Sequence, residues 1–208
     1  SESELNPANV ESVGTVAIAA GASTPIWIIN RVFRTLEKFS LKRGAGLKKA
    51  LFTLQRTFLL TNLYVALGAG SLCLAASRIQ EIDRWGPFVG IAILYVLSMQ
   101  ILNNLTGKPA DRYNDPERER FYDRYRFPLT ILALASGGAG LLVSLSMGWL
   151  PFLMLLVMSL LGLSYNMKLV SPGLFRYTRL RDIPGSKTIL IALAWGMVTS
   201  LLPALSMG

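Results

Sequence analysis

Long runs without a charged residue are the feature that most constrains this chain. Five such runs, 12–30, 57–77, 85–107, 127–167 and 188–208, together hold 125 of the 208 residues. A helix of roughly 20 apolar residues crosses a bilayer core about 30 Å thick, and the longest run is long enough for two such helices. The sequence therefore predicts an all-α, polytopic transmembrane helical bundle with five to six helices in this chain.

Composition excludes several classes of soluble protein. Only 16% of the residues are charged, whereas a soluble domain carries about 25%. The chain has no histidine, which excludes His-ligated haem, His-rich zinc sites and Ser-His-Asp catalysis. Its single cysteine, Cys73, lies in an apolar run, which predicts a buried, inert thiol. We expect no nucleic-acid partner, because the net charge of +9 comes from loops between apolar runs.

The positions of lysine and arginine predict an orientation. Nineteen of the 21 cationic residues lie in the segments 31–56, 108–126 and 168–187. These basic loops are therefore expected to face the cytoplasm, which predicts an integral protein of the inner (cytoplasmic) membrane. The predicted helices span about 57–77, 86–107, 127–146, 150–167 and 188–207. Trp85 and Trp149 then fall at the outer boundaries, as residues of an aromatic belt do.

Residues 1–56 are predicted to form an N-terminal apolar segment and a cytoplasmic interfacial helix, apart from the bundle at 57–208. The apolar run 12–30 is interrupted by Pro25, and it can cross the membrane, re-enter it or lie on its surface. Farther on, apolar residues recur at helical spacing among lysines and arginines, which is typical of an interfacial helix, broken here near 44–46. These residues are Val32, Phe33, Leu36, Phe39, Leu47, Leu51 and Leu54.

Small residues cluster in two of the predicted helices. One group contains Gly68 and Gly70, and the other contains Gly137, Gly138 and Gly140. In lipid such clusters usually mark sites where two helices approach closely. Close packing around a ligand is the alternative.

A polar segment begins where the second predicted helix ends. It contains the amides Asn103 and Asn104, the carboxylates Asp111 and Asp115, and several arginines. Hard cations such as Mg²⁺ prefer oxygen ligands, and arginine binds phosphate oxygens bidentately. The segment therefore fits a metal–diphosphate site at the membrane boundary. The alternative is a charged cytoplasmic loop that only anchors the helices.

The order of residues in 103–118 resembles the first aspartate-rich motif of the UbiA superfamily of intramembrane prenyltransferases. The matching positions are Asn103, Asp111, Asn114, Pro116 and Arg118. Asn104 and Gly107 stand where the motif has its first two aspartates. A shifted alignment pairs Asp111 with Asp115 instead, at the spacing of one helical turn.

The resemblance extends over roughly residues 50–208, the first five of the nine helices of the family. The segment 164–168 resembles the Tyr-x-x-Lys sequence that follows helix four, and 179–187 resembles the basic run that leads into helix five. The second aspartate motif of the family belongs to later helices. We therefore expect this chain to be part of a longer protein.

The resemblance implies a prenyltransferase that moves a polyprenyl group from its diphosphate to an aromatic or other lipophilic acceptor. Mg²⁺ would be bound by Asp111, Asn104 and Asp115, and Asn103 would orient the motif as a third catalytic residue beside Asp111 and Asn104. The implied substrate-binding residues are Arg118, Asn114, Tyr165, Lys168, Arg179, Arg181 and Lys187. Expected partners are membrane lipids, the prenyl donor and the acceptor.

Two alternatives to an enzyme stay open. A UbiA-like fold without two motif aspartates can be a catalytically inactive membrane subunit, which packs in a larger complex or binds a lipid, quinone or pigment tail. A small transporter is the other alternative, although no charged residue lies in the middle of a predicted span.

Overall fold

The structure is a computed structural model that describes residues 16–21, 24–43, 46–106, 116–165 and 185–205. All regular secondary structure in these residues is helical, which confirms the predicted all-α class. The helices are α1 (Ile26–Arg43), α2 (Gly46–Leu60), α3 (Leu63–Ile79), α4 (Gly86–Leu105), α5 (Pro116–Arg124), α6 (Arg126–Ser146), α7 (Trp149–Ser164) and α8 (Ser186–Gly196). A π-helical turn (Met197–Leu201) and α9 (Leu202–Leu205) continue α8 without a gap.

Three helical segments are long and apolar enough to cross a bilayer: α4, α6 and Thr188–Leu205. A fourth candidate span is broken, since Ala50–Leu60 and Leu63–Ile79 qualify only when they are taken together. Helix α7 is apolar but has only 16 residues. Three to four helices therefore have the length and composition of membrane spans, as in an integral membrane protein.

The first predicted span has different ends in the structure. The chain is already helical from Gly46, breaks after Leu60 and resumes at Leu63, whereas the sequence predicted one helix over 57–77. The break lies at Asn62, whose backbone is left-handed at φ 57°. Asparagine is one of the few residues besides glycine that adopts this conformation readily, and the conformation cannot continue a right-handed helix.

The other predicted spans agree with the structure to within a few residues at each end. Helix α4 ends at Leu105 rather than 107, and α7 ends at Ser164 rather than 167. The apolar run 12–30 is not one continuous helix, because residues 16–21 have no regular structure and α1 begins at Ile26, directly after Pro25. Proline is favoured at the start of a helix because it lacks a backbone N–H to donate.

The chain divides into two compact units. The first contains Ser1–Thr57 and Lys108–Arg120, and the second contains Phe58–Gly107 and Phe121–Gly208. The first unit includes the amphipathic helix α1, where Phe33 is exposed among basic residues. The second unit includes the candidate spans α4, α6 and Thr188–Leu205.

Helix α4 is central to the second unit. It packs mainly on α6 and α3 and also contacts α7 and the π-helical turn. In its most apolar window 44% of the residues are buried, against 28% in α6 and 22% in Thr188–Leu205. Side chains such as Ile91 and Ile101 are fully buried. Within this unit, α3, α6 and α7 therefore pack against α4, and parts of their surfaces remain exposed.

Glycines allow three helices to approach α4 closely. A methyl group added at Gly70 of α3 would lie 2.6 Å from Ile93 Cγ1, and one at Gly137 of α6 would lie 2.8 Å from Ser98 Oγ. At Gly162 of α7 the added carbon would lie 2.8 Å from Met99 Sδ. The predicted role in helix contact therefore holds for Gly70 and Gly137, whereas Gly68 and Gly138 have no atom within 4 Å.

Side-chain hydrogen bonds to backbone carbonyls join the helices around α4. Ser98 Oγ donates to the Ala133 carbonyl of α6 at 2.8 Å, and Tyr95 Oη donates to the Met158 carbonyl of α7 at 3.4 Å. Directly after the C-terminal end of α3, Gln80 Nε2 donates to the Ser200 carbonyl in the π-helical turn at 3.2 Å. In an apolar medium such bonds satisfy polar groups that have no water to bind.

The outward faces of the spans are strongly apolar. Leu142 is 72% exposed and Leu134 is 62% exposed, both on α6. Trp149, at the start of α7, is 65% exposed, which agrees with a position in an aromatic belt. The predicted burial of Cys73 is confirmed, because its side chain is fully enclosed. Large outward apolar faces around a packed central helix are what a bilayer favours and water does not.

Candidate functional site

Amide side chains gather at the C-terminal end of α4. Gln100 and Asn104 are four residues apart and therefore lie on the same face of the helix. Asn62 Nδ2, at the break before α3, donates to Gln100 Oε1 at 3.2 Å, and Asn62 is only 7% exposed. This pair provides a polar contact between the start of α3 and the end of α4.

Asn62 also organises the chain at the helix break. Its carbonyl accepts hydrogen bonds from the Val65 and Ala66 amides at 3.0 and 3.2 Å. Its side chain makes no cap to the helix that it starts and is directed to Gln100 instead. A discontinuous helix with polar groups at the break is a common element of membrane binding sites.

Replacing Asn62 with alanine is expected to destabilise the protein by about 1–2 kcal/mol, because alanine resists the left-handed backbone and Gln100 loses its partner. Asn62→Gly removes the same hydrogen bond, but glycine adopts the left-handed backbone conformation readily. Its loss of stability should therefore be smaller than that of the alanine variant. Denaturant unfolding of the two variants in detergent measures the difference. Equal stability of the alanine variant and the wild type would contradict the role assigned to Asn62.

Asn104 is held by a buried tyrosine. Its Nδ2 donates to Tyr122 Oη of α5 at 3.1 Å, and Tyr122 is only 4% exposed. Asn104 itself is half-buried, whereas Asn103 is exposed. This bond orients the Asn104 amide, whose oxygen Oδ1 is the atom of the side chain that is able to bind a cation.

The ring of Phe121 packs between the tyrosine that holds Asn104 and a second tyrosine, Tyr125. The Phe121 ring lies edge-on to Tyr122 with centroids 5.9 Å apart, and 5.0 Å from the Tyr125 ring. Edge-to-face and tilted arrangements at this distance are favourable for aromatic pairs. Phe121 therefore restrains Tyr122 and, through it, the Asn104 amide.

The structure describes only part of the predicted site. Asp111, Asn114, Asp115, Lys168, Arg179 and Arg181 lie outside the described residues. Lys187 falls in the first turn of α8. Tyr165 is half-buried at the C-terminal end of α7, where its amide donates to the Leu161 carbonyl at 3.1 Å. Asn103, Asn104 and Tyr165 belong to the second compact unit, and Arg118 belongs to the first.

The described residues do not by themselves make a magnesium site. Within them, no group of three or more histidine, cysteine, aspartate or glutamate residues is close enough together to hold a metal ion. Asn104 Oδ1 is a neutral oxygen, and Mg²⁺ is usually bound through one or two carboxylates. A bound Mg²⁺ would therefore depend on Asp111 and Asp115.

An apolar groove of about 310 Å³ lies along α7 and the helical run that follows Ser186. Its walls are leucine, methionine and valine side chains, including Met154 and Leu161 of α7 and Leu193 of α8. The groove is therefore apolar throughout.

Sequence reasoning missed three residues of this region: Asn62, Gln100 and Tyr122. A signal was present for Gln100, because Gln100, Asn103 and Asn104 recur at helical spacing in an otherwise apolar run. Tyr122 lies in a charged stretch, where hydropathy gives no reason to expect burial. Its role follows only from its contact with Asn104.

Comparison of the chain with protein-family models, with curated proteins and with solved structures finds no match. The resemblance to UbiA prenyltransferases therefore depends on the residues named above. The fold class and the helices with the character of membrane spans are established independently of that resemblance.

Proposed function

We propose that this chain belongs to a UbiA-like prenyltransferase, which moves a polyprenyl group from its diphosphate to an aromatic or other lipophilic acceptor. The observation that carries the proposal is the half-buried Asn104 amide at the end of the most buried helix, oriented by Tyr122. Asn104 is also the residue that aligns with the first aspartate of the UbiA motif. The proposal includes the inner membrane as location, with the basic loops in the cytoplasm.

The chemistry requires a leaving diphosphate to be stabilised while the carbocation is kept from water. Arg118, Lys168, Arg179, Arg181 and Lys187 are the cations proposed to neutralise the leaving group, and Asn114 and Tyr165 are proposed to contact the donor. Asn103 and Asn104 would hold the end of α4 against the diphosphate. The apolar interior around α4 supports the exclusion of water.

Magnesium is proposed as the cofactor because a divalent cation neutralises diphosphate, with Asp111 as its main ligand. The test is release of diphosphate by the complete protein in proteoliposomes. The donors are polyprenyl diphosphates of several chain lengths, with Mg²⁺ or with a chelator. We expect release only with Mg²⁺. Absence of release with every donor would contradict the enzyme proposal.

A catalytically inactive membrane subunit is the second candidate. The described residues contain no cluster of metal-binding side chains, and only 22% of the most apolar window of Thr188–Leu205 is buried. Such a helix has a wide face for partner subunits or for a lipid, quinone or pigment tail. Retained binding of prenyl diphosphate without turnover would favour this candidate.

The proposed orientation predicts which ends of α6 a reagent can reach. In a Cys73→Ala background, Asp123→Cys and Ser146→Cys place single thiols at exposed positions near the two ends of α6. We expect a membrane-impermeant maleimide to label Ser146→Cys from outside intact cells and Asp123→Cys only after permeabilisation. The reverse pattern would contradict the orientation.

A further inference from the structure

A basic and aromatic turn joins α5 to α6. The six residues 123–128 are all exposed, and they include Arg124, Tyr125, Arg126 and Phe127. The Arg124 guanidinium lies over the Tyr125 ring, 5.8 Å from its centroid. A cation within about 6 Å of an aromatic ring centroid is attracted to the face of the ring.

The length of α6 places this turn at the level of lipid headgroups. The 21 residues of the helix span about 31 Å, close to the thickness of a bilayer core. Phe127 is 77% exposed near one end, and Trp149 is 65% exposed just beyond the other. Exposed apolar residues such as Leu134 and Leu142 lie between them. Arg124 and Arg126 therefore lie beside the phosphates when the apolar face contacts the acyl chains.

The local charge around the two arginines is positive on balance. In the part of the chain that the structure describes, neither guanidinium forms an ion pair with a carboxylate. Asp123 is exposed next to them, so residues 123–128 carry one net positive charge. No charged residue follows until Lys168.

We propose that Arg124 and Arg126, with Tyr125 between them, bind the phosphate of an anionic phospholipid in the adjacent leaflet. Arginine forms bidentate hydrogen bonds with phosphate oxygens, and each basic residue at an anionic surface contributes about a fivefold preference. The acyl chains of the lipid lie along the exposed apolar face of α6. This interaction is separate from catalysis and does not depend on it.

The experiment reconstitutes the protein with equal amounts of phosphatidylglycerol and phosphatidylcholine and measures the lipid that copurifies after mild delipidation. We expect several-fold enrichment of phosphatidylglycerol in the wild type and its loss in Arg124→Gln/Arg126→Gln. The matched control is Arg78→Gln/Arg84→Gln, which removes the same charge from the last turn of α3 and from the turn that follows it. Arg78 lies 5.2 Å from the Trp85 ring centroid. This control should keep the enrichment, because Glu81 and Asp83 lie between these arginines and leave residues 78–85 without net charge.

A second measurement on the wild type keeps the proposal testable if the double variant does not fold. High salt should reduce the enrichment, because screening weakens exposed charge pairs, whereas millimolar inorganic phosphate should leave it unchanged. Equal enrichment in all proteins, or equal loss in both double variants, would overturn the proposal. Displacement by inorganic phosphate would assign the site to a free anion instead of a lipid.

Discussion

Asp111→Ala is expected to lower the rate of Mg²⁺-dependent diphosphate release by about 100-fold or more, the scale seen when a group that stabilises developing charge is removed. The reason is electrostatic. Asn104 supplies only a neutral oxygen, so Asp111 is the main carboxylate in the proposed motif. The measurement is diphosphate release by the complete protein, with the Mg²⁺ concentration varied.

Asp83→Ala is the matched control for this variant. Asp83 is an exposed carboxylate in the turn between α3 and α4, at the opposite end of α4 from Asn104. We expect its removal to leave the rate unchanged. An Asp111→Ala protein with the wild-type rate and Mg²⁺ dependence would remove Asp111 from the catalytic machinery.

Gly137→Ala is expected to destabilise the bundle by about 1–3 kcal/mol, the usual cost of overpacking a well-packed interface. The new methyl group would lie 2.8 Å from Ser98 Oγ. Ser98 cannot turn away freely, because its hydroxyl is bonded to the Ala133 carbonyl at 2.8 Å. The substitution therefore either moves α6 from α4 or breaks this hydrogen bond.

Two comparisons separate this packing effect from the general effect of alanine in a helix. Gly138→Ala, one residue farther on, meets no atom within 4 Å and should be neutral or stabilising by up to about 1 kcal/mol. In the double variant Ser98→Ala/Gly137→Ala the close contact is absent, since Ser98 Cβ lies 3.6 Å from the added carbon. We expect the double variant to match Ser98→Ala alone.

Unfolding of the wild type and these four variants by denaturant in mixed micelles measures these differences. Strictly additive effects of Ser98→Ala and Gly137→Ala would contradict the proposed contact. A second pair tests the same argument on α3, where Gly70→Ala meets Ile93 and Gly68→Ala meets nothing within 4 Å. Gly70→Ala should be the more destabilising of the two.

The candidate site could be predicted from sequence only in its general position. Asn103 and Asn104 were identified because amides at the end of an apolar run are unusual and match a known motif. The pattern does not show that their environments differ: Asn103 is exposed, whereas Asn104 is held by Tyr122. Burial of Tyr122 depends on contacts with residues distant in sequence, which a charged local stretch does not reveal.

The sequence by itself determined that this is a helical protein with the character of a membrane protein. Charge-free runs of about 20 residues predict membrane-spanning helices, because backbone polar groups in lipid must be hydrogen-bonded by the protein. A helix makes all of these hydrogen bonds within its own segment. Only the tertiary structure showed that α4 is central and that the first span breaks at Asn62. It also showed that Gly162, like Gly70 and Gly137, lies at a close contact with α4. The physical reason is that positions facing lipid and positions facing another helix are equally apolar, so hydropathy cannot distinguish them. Steric fit between particular side chains determines which positions face another helix.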